Sequence, residues 1–142
     1  MTIDQKKAYL NQYKWLRMEE KELNEELECL RLETLPGAIK YSDMPKGSVN
    51  LADLSDHMVR LEEVTSKLEA LLREKWQKRK EISASIEQMP DETYKLLLRY
   101  KFLSEKDRTL EEVSELIGYS DRHIYRLYNA ALEQFEPMTV ER

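Results

Sequence analysis

Residues 1–35 and 48–89 contain neither glycine nor proline, and no other feature constrains the fold as strongly. Without these two breakers, a chain with helical periodicity can stay helical for tens of residues. Pro36, Gly37, Pro45 and Gly47 fall together, whereas Pro90, Gly118 and Pro137 stand alone. The punctuation predicts two long helices, then shorter ones beyond Pro90.

Each long stretch carries a mainly apolar series at alternating steps of four and three, interrupted by Glu20 in the first and by Lys75 and Arg79 in the second. The first runs Tyr9, Tyr13, Leu16, Glu20, Leu23, Leu27, Leu30. The second runs Leu51, Leu54, Met58, Leu61, Thr65, Leu68, Leu72, Lys75, Arg79, Ile82, Ile86, Met89. A mean step of about 3.5 residues keeps one narrow seam facing a partner helix, as in coiled coils. Leu10, Val64, Leu71 and Trp76 flank the seams and widen them. The connector 36–50 is too short for a parallel return along a helix of about 48 Å. An antiparallel hairpin is expected, with facing positions summing to about 86, so that Trp15 meets Leu71 and Leu72 and Leu10 meets Trp76. A lone hairpin leaves much of its apolar stripe wet, so a homodimer through the hairpin is expected. The connector, with Ile39, Tyr41 and Met44, reads either as a cap on the hairpin tip or as a partner-binding tip.

Past Pro90, which with its following acids suits the first turn of a helix, Tyr94, Leu97, Leu98, Tyr100, Phe102 and Leu103 mark a third helical segment. The next stretch, TLEEVSELIGYSDRHIYRLYNAALEQF, is the most informative. Thr109 and Glu112 form a capping-box pair. Leu110, Val113, Leu116 and Ile117 make one apolar face, and Ser114 is small where two helices must approach. Gly118 suits a sharp turn with positive φ. Ser120 caps the next helix, with Asp121 at its positive end. Ile124, Leu127, Ala131 and Leu132 form that helix's buried stripe. These are the spacings of a helix-turn-helix: a small residue at the crossing, a turn glycine and two anchors beneath the second helix.

The expected fold is therefore all-α. Residues 1–89 form an antiparallel coiled-coil hairpin, 90–136 a tri-helical helix-turn-helix domain, and 137–142 a tail.

The segment PDETYKLLLRYKFL followed by TLEEVSELIGYSDRHIYRLYNAALEQF resembles region 4 of the sigma-70 family, which reads the −35 promoter element. The whole arrangement resembles small phage and prophage proteins of Gram-positive bacteria, the ArpU and RinA types, regarded as regulators of late or lytic genes. That resemblance implies a transcription regulator in a bacterial cytoplasm, with double-stranded DNA as partner and RNA polymerase as a second one. Carried over by position, it places Asp121, Arg122, His123, Tyr125, Arg126 and Asn129 on the DNA-reading face. Arg122 and Arg126 lie four apart near the N-terminal half of their helix. An arginine there can bond guanine bidentately, and an asparagine such as Asn129 can do so to adenine. His123 and Tyr125 are candidate phosphate or thymine-methyl contacts. Thr109, Ser120, Arg99 and Lys101 are candidate phosphate contacts. The plainer reading pairs Arg122 and Arg126 with Asp121 and Glu133 as surface charge, and gives Tyr119 and Tyr128 packing roles. Recognition helices of that family are usually richer in basic residues than this one.

Composition sets the limits. Lys plus Arg is 23 against 28 for Asp plus Glu, a net charge of −5. Residues 91–142 carry eight basic and eleven acidic side chains, a net of −3. Neither half is basic, which weighs against avid nonspecific nucleic-acid binding. One local cluster, Arg73, Lys75, Lys78, Arg79 and Lys80, reads as a solvated helix face or as a phosphate-touching surface. Cys29 is the single cysteine and His57 and His123 are the only histidines, so neither a disulfide nor a metal site is expected. No apolar run suits a membrane span, and the N-terminus lacks the apolar region of a secretory signal. No glycine-rich phosphate loop or nucleophile–base pairing appears, so neither enzymatic activity nor a cofactor is expected. Two competing functions remain: a protein module docking on RNA polymerase or a sigma factor, and a DNA-packaging component like a small terminase subunit.

Overall fold

The computed structural model describes residues 1–34 and 51–138, and among them every regular element is helical. The six helices are α1 (Ile3–Leu10), α2 (Gln12–Thr34), α3 (Leu51–Glu87), α4 (Glu92–Phe102), α5 (Leu110–Ile117) and α6 (Asp121–Gln134). Within those glycine- and proline-free stretches the described chain is helical from Ile3 to Thr34, apart from Asn11, and from Leu51 to Glu87. The connector expected at 36–50 lies outside the described residues, as do residues 139–142 of the tail. No helix among the described residues is long and apolar enough to cross a membrane.

The chain divides into two compact units, one of Met1–Arg17 with Glu74–Arg142 and the other of Met18–Arg73. These units depart from the boundary expected at 89/90. The reason is packing. Leu10, Tyr13, Ile82, Ile86 and Met89 share one buried cluster with Leu97, Leu98, Phe102, Leu103, Leu110, Val113, Ile124, Ala131, Leu132 and Phe135. Three short helices bury too little apolar surface by themselves, and the first helix together with the end of α3 completes their core.

Polar ties reinforce this first unit. The Tyr9 ring packs 6.0 Å from that of Phe135. Buried Lys6 donates from Nζ to the Glu133 carbonyl at 2.9 Å, placing a cation at the C-terminal end of α6 where the helix dipole favours one. Ser85, also buried, accepts the Met138 backbone N–H at 2.9 Å and lies 3.4 Å from the Tyr9 hydroxyl. The loop before α5 is stapled to the start of α2. Arg17 donates to the Glu105 carbonyl and to Asp107 Oδ1, both at 2.7 Å, and Tyr13 donates its hydroxyl to Glu105 Oε1 at 2.6 Å. The Arg17 hydrogen bond holds the Asp107 carboxyl below its usual range, and the Tyr13 hydroxyl does the same for Glu105.

The expected register is displaced. A sum of about 86 would put Tyr9 opposite residue 77, but its hydroxyl approaches Ser85. Leu10 lies in the cluster with Ile82 and Ile86, whereas Trp76 is 63% exposed and Trp15 is 58% exposed. In the second unit, Leu27 and Leu30 of α2 pack with Val64, Leu61 and Leu68 of α3. Val64, expected only to flank the seam, is buried, while the seam positions Leu54 and Met58 are exposed. Spacing alone leaves the rotation of a long helix open by about one position, and burial elsewhere in the fold decides it.

Local signals at the helix ends are realised in detail. The Thr109 hydroxyl accepts from the Glu112 N–H, and Glu112 returns the bond to the Thr109 N–H. Gly118 ends α5 at φ +90°, and its N–H and that of Tyr119 both reach the Ser114 carbonyl, at 2.8 and 3.0 Å. Ser120 caps α6 by accepting from the His123 N–H. Ahead of α4 the cap is Asp91, which accepts from Thr93 and Tyr94, so Pro90 lies outside the helix rather than in its first turn. A Cβ built on Gly118 would meet nothing within 4 Å, so replacement by alanine carries only the conformational cost of left-handed backbone. Gly118→Ala is expected to destabilise the fold by about 1–2 kcal/mol, read from the denaturant midpoint, without loss of helical content.

Candidate nucleic-acid interface

The turn between α5 and α6 presents the side chains expected to contact DNA. Its geometry rests on Ser114, which is 1% exposed. The Ser114 hydroxyl lies 2.6 Å from the Glu111 carbonyl and 2.9 Å from Asp121 Oδ1, so a single proton ties the end of α5 to the first turn of α6. Beneath α6, Ile124, Ala131 and Leu132 are fully buried, and Leu127 packs against the same core. The opposite face of α6 is thereby turned outward.

On that face the six expected residues separate into two groups. Asp121 is engaged with Ser114. Tyr125, 46% exposed, donates its hydroxyl to Glu111 Oε1 at 2.6 Å. His123 is half-buried, and its ring meets that of Tyr119 edge-on at 5.0 Å. Arg122, Arg126 and Asn129, in contrast, are exposed. Among the described residues neither guanidinium forms an ion pair or hydrogen bond, so the pairing with Asp121 and Glu133 does not occur. Their positions four apart place both on one side of the helix within its first two turns.

The candidate phosphate contacts hold structural roles as well. Thr109 and Ser120 are exposed helix caps. Arg99 is paired with Glu87, which also receives Lys95 at 3.4 Å. Lys101 is half-buried with its ammonium 5.6 Å from the Phe102 ring centroid, and burial pushes its pKa down. Tyr128 stacks on Phe102 at 6.2 Å, and burial pushes its hydroxyl pKa up.

Two residues matter here that the sequence did not single out. Glu111 holds Tyr125 across fourteen residues, a separation with no local signature. Arg108, just before the α5 cap, donates from Nε to Ser104 Oγ at 3.0 Å and covers the Tyr100 ring at 5.7 Å. A cation immediately preceding a helix cap was the available signal.

The Tyr125 hydrogen bond is the main cause that lowers the Glu111 pKa from its ordinary 4.5, and the same bond raises that of Tyr125 from 10.0. The pair therefore stabilises the fold at neutral pH. Its contribution fades as pH falls below 4.5 through the Glu111 value, and again as pH rises above 10 through that of Tyr125. Tyr125→Phe is expected to return Glu111 towards its ordinary titration, as followed by carboxyl NMR. Because both groups are exposed, the stability change should be small.

No family model, curated protein or solved structure matches the chain.

Proposed function

We propose that the protein is a DNA-binding transcription regulator, a late-gene activator of a phage or prophage, that reads promoter DNA with α6. In this reading α4, α5 and α6 form a tri-helical helix-turn-helix resembling region 4 of sigma-70 factors. Residues 1–89 supply an antiparallel coiled-coil hairpin that pairs two copies. One observation carries the reading: Arg122 and Arg126 are exposed on one side of α6 and unpaired among the described residues, while Asp121 and Tyr125 beside them are engaged. A free guanidinium fork in the first half of an exposed helix suits bidentate contact with guanine in the major groove. Asn129 extends the same face towards the backbone. Two-fold assembly through the hairpin doubles the contacts and offsets the acidic charge of the C-terminal half. The exposed Trp15 and Trp76 supply aromatic surface of the kind enriched at interfaces.

A second reading draws on that acidity, a net of −3 over residues 91–142. In it the same helices dock on RNA polymerase or on a sigma factor without touching DNA. The separating experiment is selection of bound fragments from the neighbouring genome at two salt concentrations, with mass measured in solution. A regulator enriches discrete fragments, loses affinity linearly in log salt, and runs as a dimer. Polymerase retained without DNA, with no fragment enriched, would establish the docking function instead.

A further inference from the structure

The first unit contains an open cleft of about 460 Å³ that no residue of α6 lines, although Arg99 in its wall is also a candidate DNA-phosphate contact. Its walls are Arg79 and Ser83 of α3, Arg99 and Tyr100 of α4, and the following loop through Ser104, Glu105 and Arg108. Three arginines thus line one space, although the chain as a whole is acidic. Each is held by a partner that leaves part of its donor fork unused. Arg79 lies over the Tyr13 ring at 5.8 Å. Arg108 is fixed through Nε by Ser104, whose own hydroxyl donates to the Tyr100 carbonyl at 2.6 Å. Arg99 gives one terminal nitrogen to Glu87, and its Nε is buried with no partner among the described residues.

The single carboxylate in the wall, Glu105, is already committed. It takes the Tyr13 hydroxyl at 2.6 Å and faces Lys75 at 3.8 Å, and its pKa is held below the usual range. Three arginines against Glu105 leave a formal +2 on the wall, reduced to +1 by the Glu87 that pairs with Arg99. A phosphate monoester carries nearly two negative charges at neutral pH, with three acceptor oxygens, and matches three arginines better than a lone carboxylate does. Planar guanidinium forks suit such an oxyanion, and the volume accommodates an organic group beyond it.

We propose that this cleft binds a small organic phosphate monoester, seated by Arg79, Arg99 and Arg108. The site is separate from the Arg122 and Arg126 face. The test is calorimetric titration of the full chain with inorganic phosphate, adenosine 5′-monophosphate and adenosine. Saturable one-to-one binding of the first two, and none of adenosine, is the expected result. Arg79→Gln with Arg108→Gln should weaken that binding about a hundredfold, tenfold for each charge-assisted fork removed. Arg108→Lys, which keeps the charge but loses the fork and the Ser104 bond, should weaken binding well beyond its effect on thermal stability. Lys67→Gln, an equal charge change at an exposed position on α3 outside the basic cluster, should leave affinity within twofold. The Arg122→Ala and Arg126→Ala variant should bind the monophosphate as the wild type does, so this proposal and the DNA proposal fail separately. Absence of saturable phosphate binding at millimolar concentration overturns the site, as does wild-type affinity in the double glutamine variant. A duplex that displaces the monophosphate from the wild type, but no longer binds the glutamine variant, would transfer the cleft to DNA backbone phosphate and overturn the small-molecule assignment.

Discussion

Replacing Arg122 and Arg126 together by alanine is expected to abolish sequence-specific retardation of DNA while leaving the circular dichroism spectrum unchanged. Each bidentate arginine–guanine contact contributes roughly 1–3 kcal/mol of discrimination. Losing two, roughly 2–6 kcal/mol together, lowers specific affinity at least about thirtyfold. Folding should be indifferent, because both side chains are exposed and neither forms an ion pair or hydrogen bond among the described residues. The pattern of loss is itself diagnostic. Weakening confined to particular base pairs marks base-edge contacts, whereas uniform weakening with a shallower salt slope marks phosphate contacts. Full retention of specific binding would remove these arginines, and with them the reading face, from the proposal.

The second large effect concerns folding. A fragment of residues 90–142, the domain suggested by the helix-turn-helix spacing with its tail, is expected to remain unfolded. It lacks Leu10, Tyr13, Ile82, Ile86 and Met89, all at most 4% exposed in the intact chain. Burying an apolar side chain contributes roughly 1.5–3 kcal/mol. Five of them rival the roughly 5–15 kcal/mol that stabilises a whole domain. The fragment also loses the Lys6 bond to the end of α6 and the Tyr13 and Arg17 bonds to the loop before α5. Circular dichroism with thermal melting decides the matter, since a sharp cooperative transition in the fragment would show that α4–α6 suffice. A gentler probe is Leu10→Ala in the full chain, expected to cost about 2–5 kcal/mol by denaturant melting because it opens a cavity in that same core.

The Thr109–Glu112 box, the Gly118 turn and the Ser120 cap were legible because each depends on residues within one turn of helix. Ile124 and Leu132 were legible because helical periodicity marks a buried face without naming its partner. Ser114 was read as a small residue at a crossing, but its bond to Asp121 needed the crossing itself. For the same reason Asp121 and Tyr125 looked like free polar groups on the reading face. Their partners, Ser114 and Glu111, lie seven and fourteen residues away across the turn. The displaced register has a related cause. A seam of period near 3.5 fits several rotations of α3, and α4–α6 draw Ile82 and Ile86 inward while Trp76 remains outside.

The amino-acid sequence by itself determined that this chain is helical, where most helices end, and that the backbone turns left-handed at Gly118. Those outcomes follow from steric limits and from hydrogen bonds closed within a few residues. Tertiary structure alone decided which sides of the long helices are covered, that the N-terminal helix belongs to the same core as the C-terminal ones, and which polar groups of α6 stay unengaged. Such choices rest on pairs like Tyr13 with Glu105 and Lys6 with Glu133, which are 92 and 127 residues apart. Contacts at that range leave no periodic trace in the chain, because they exist only once the helices have packed.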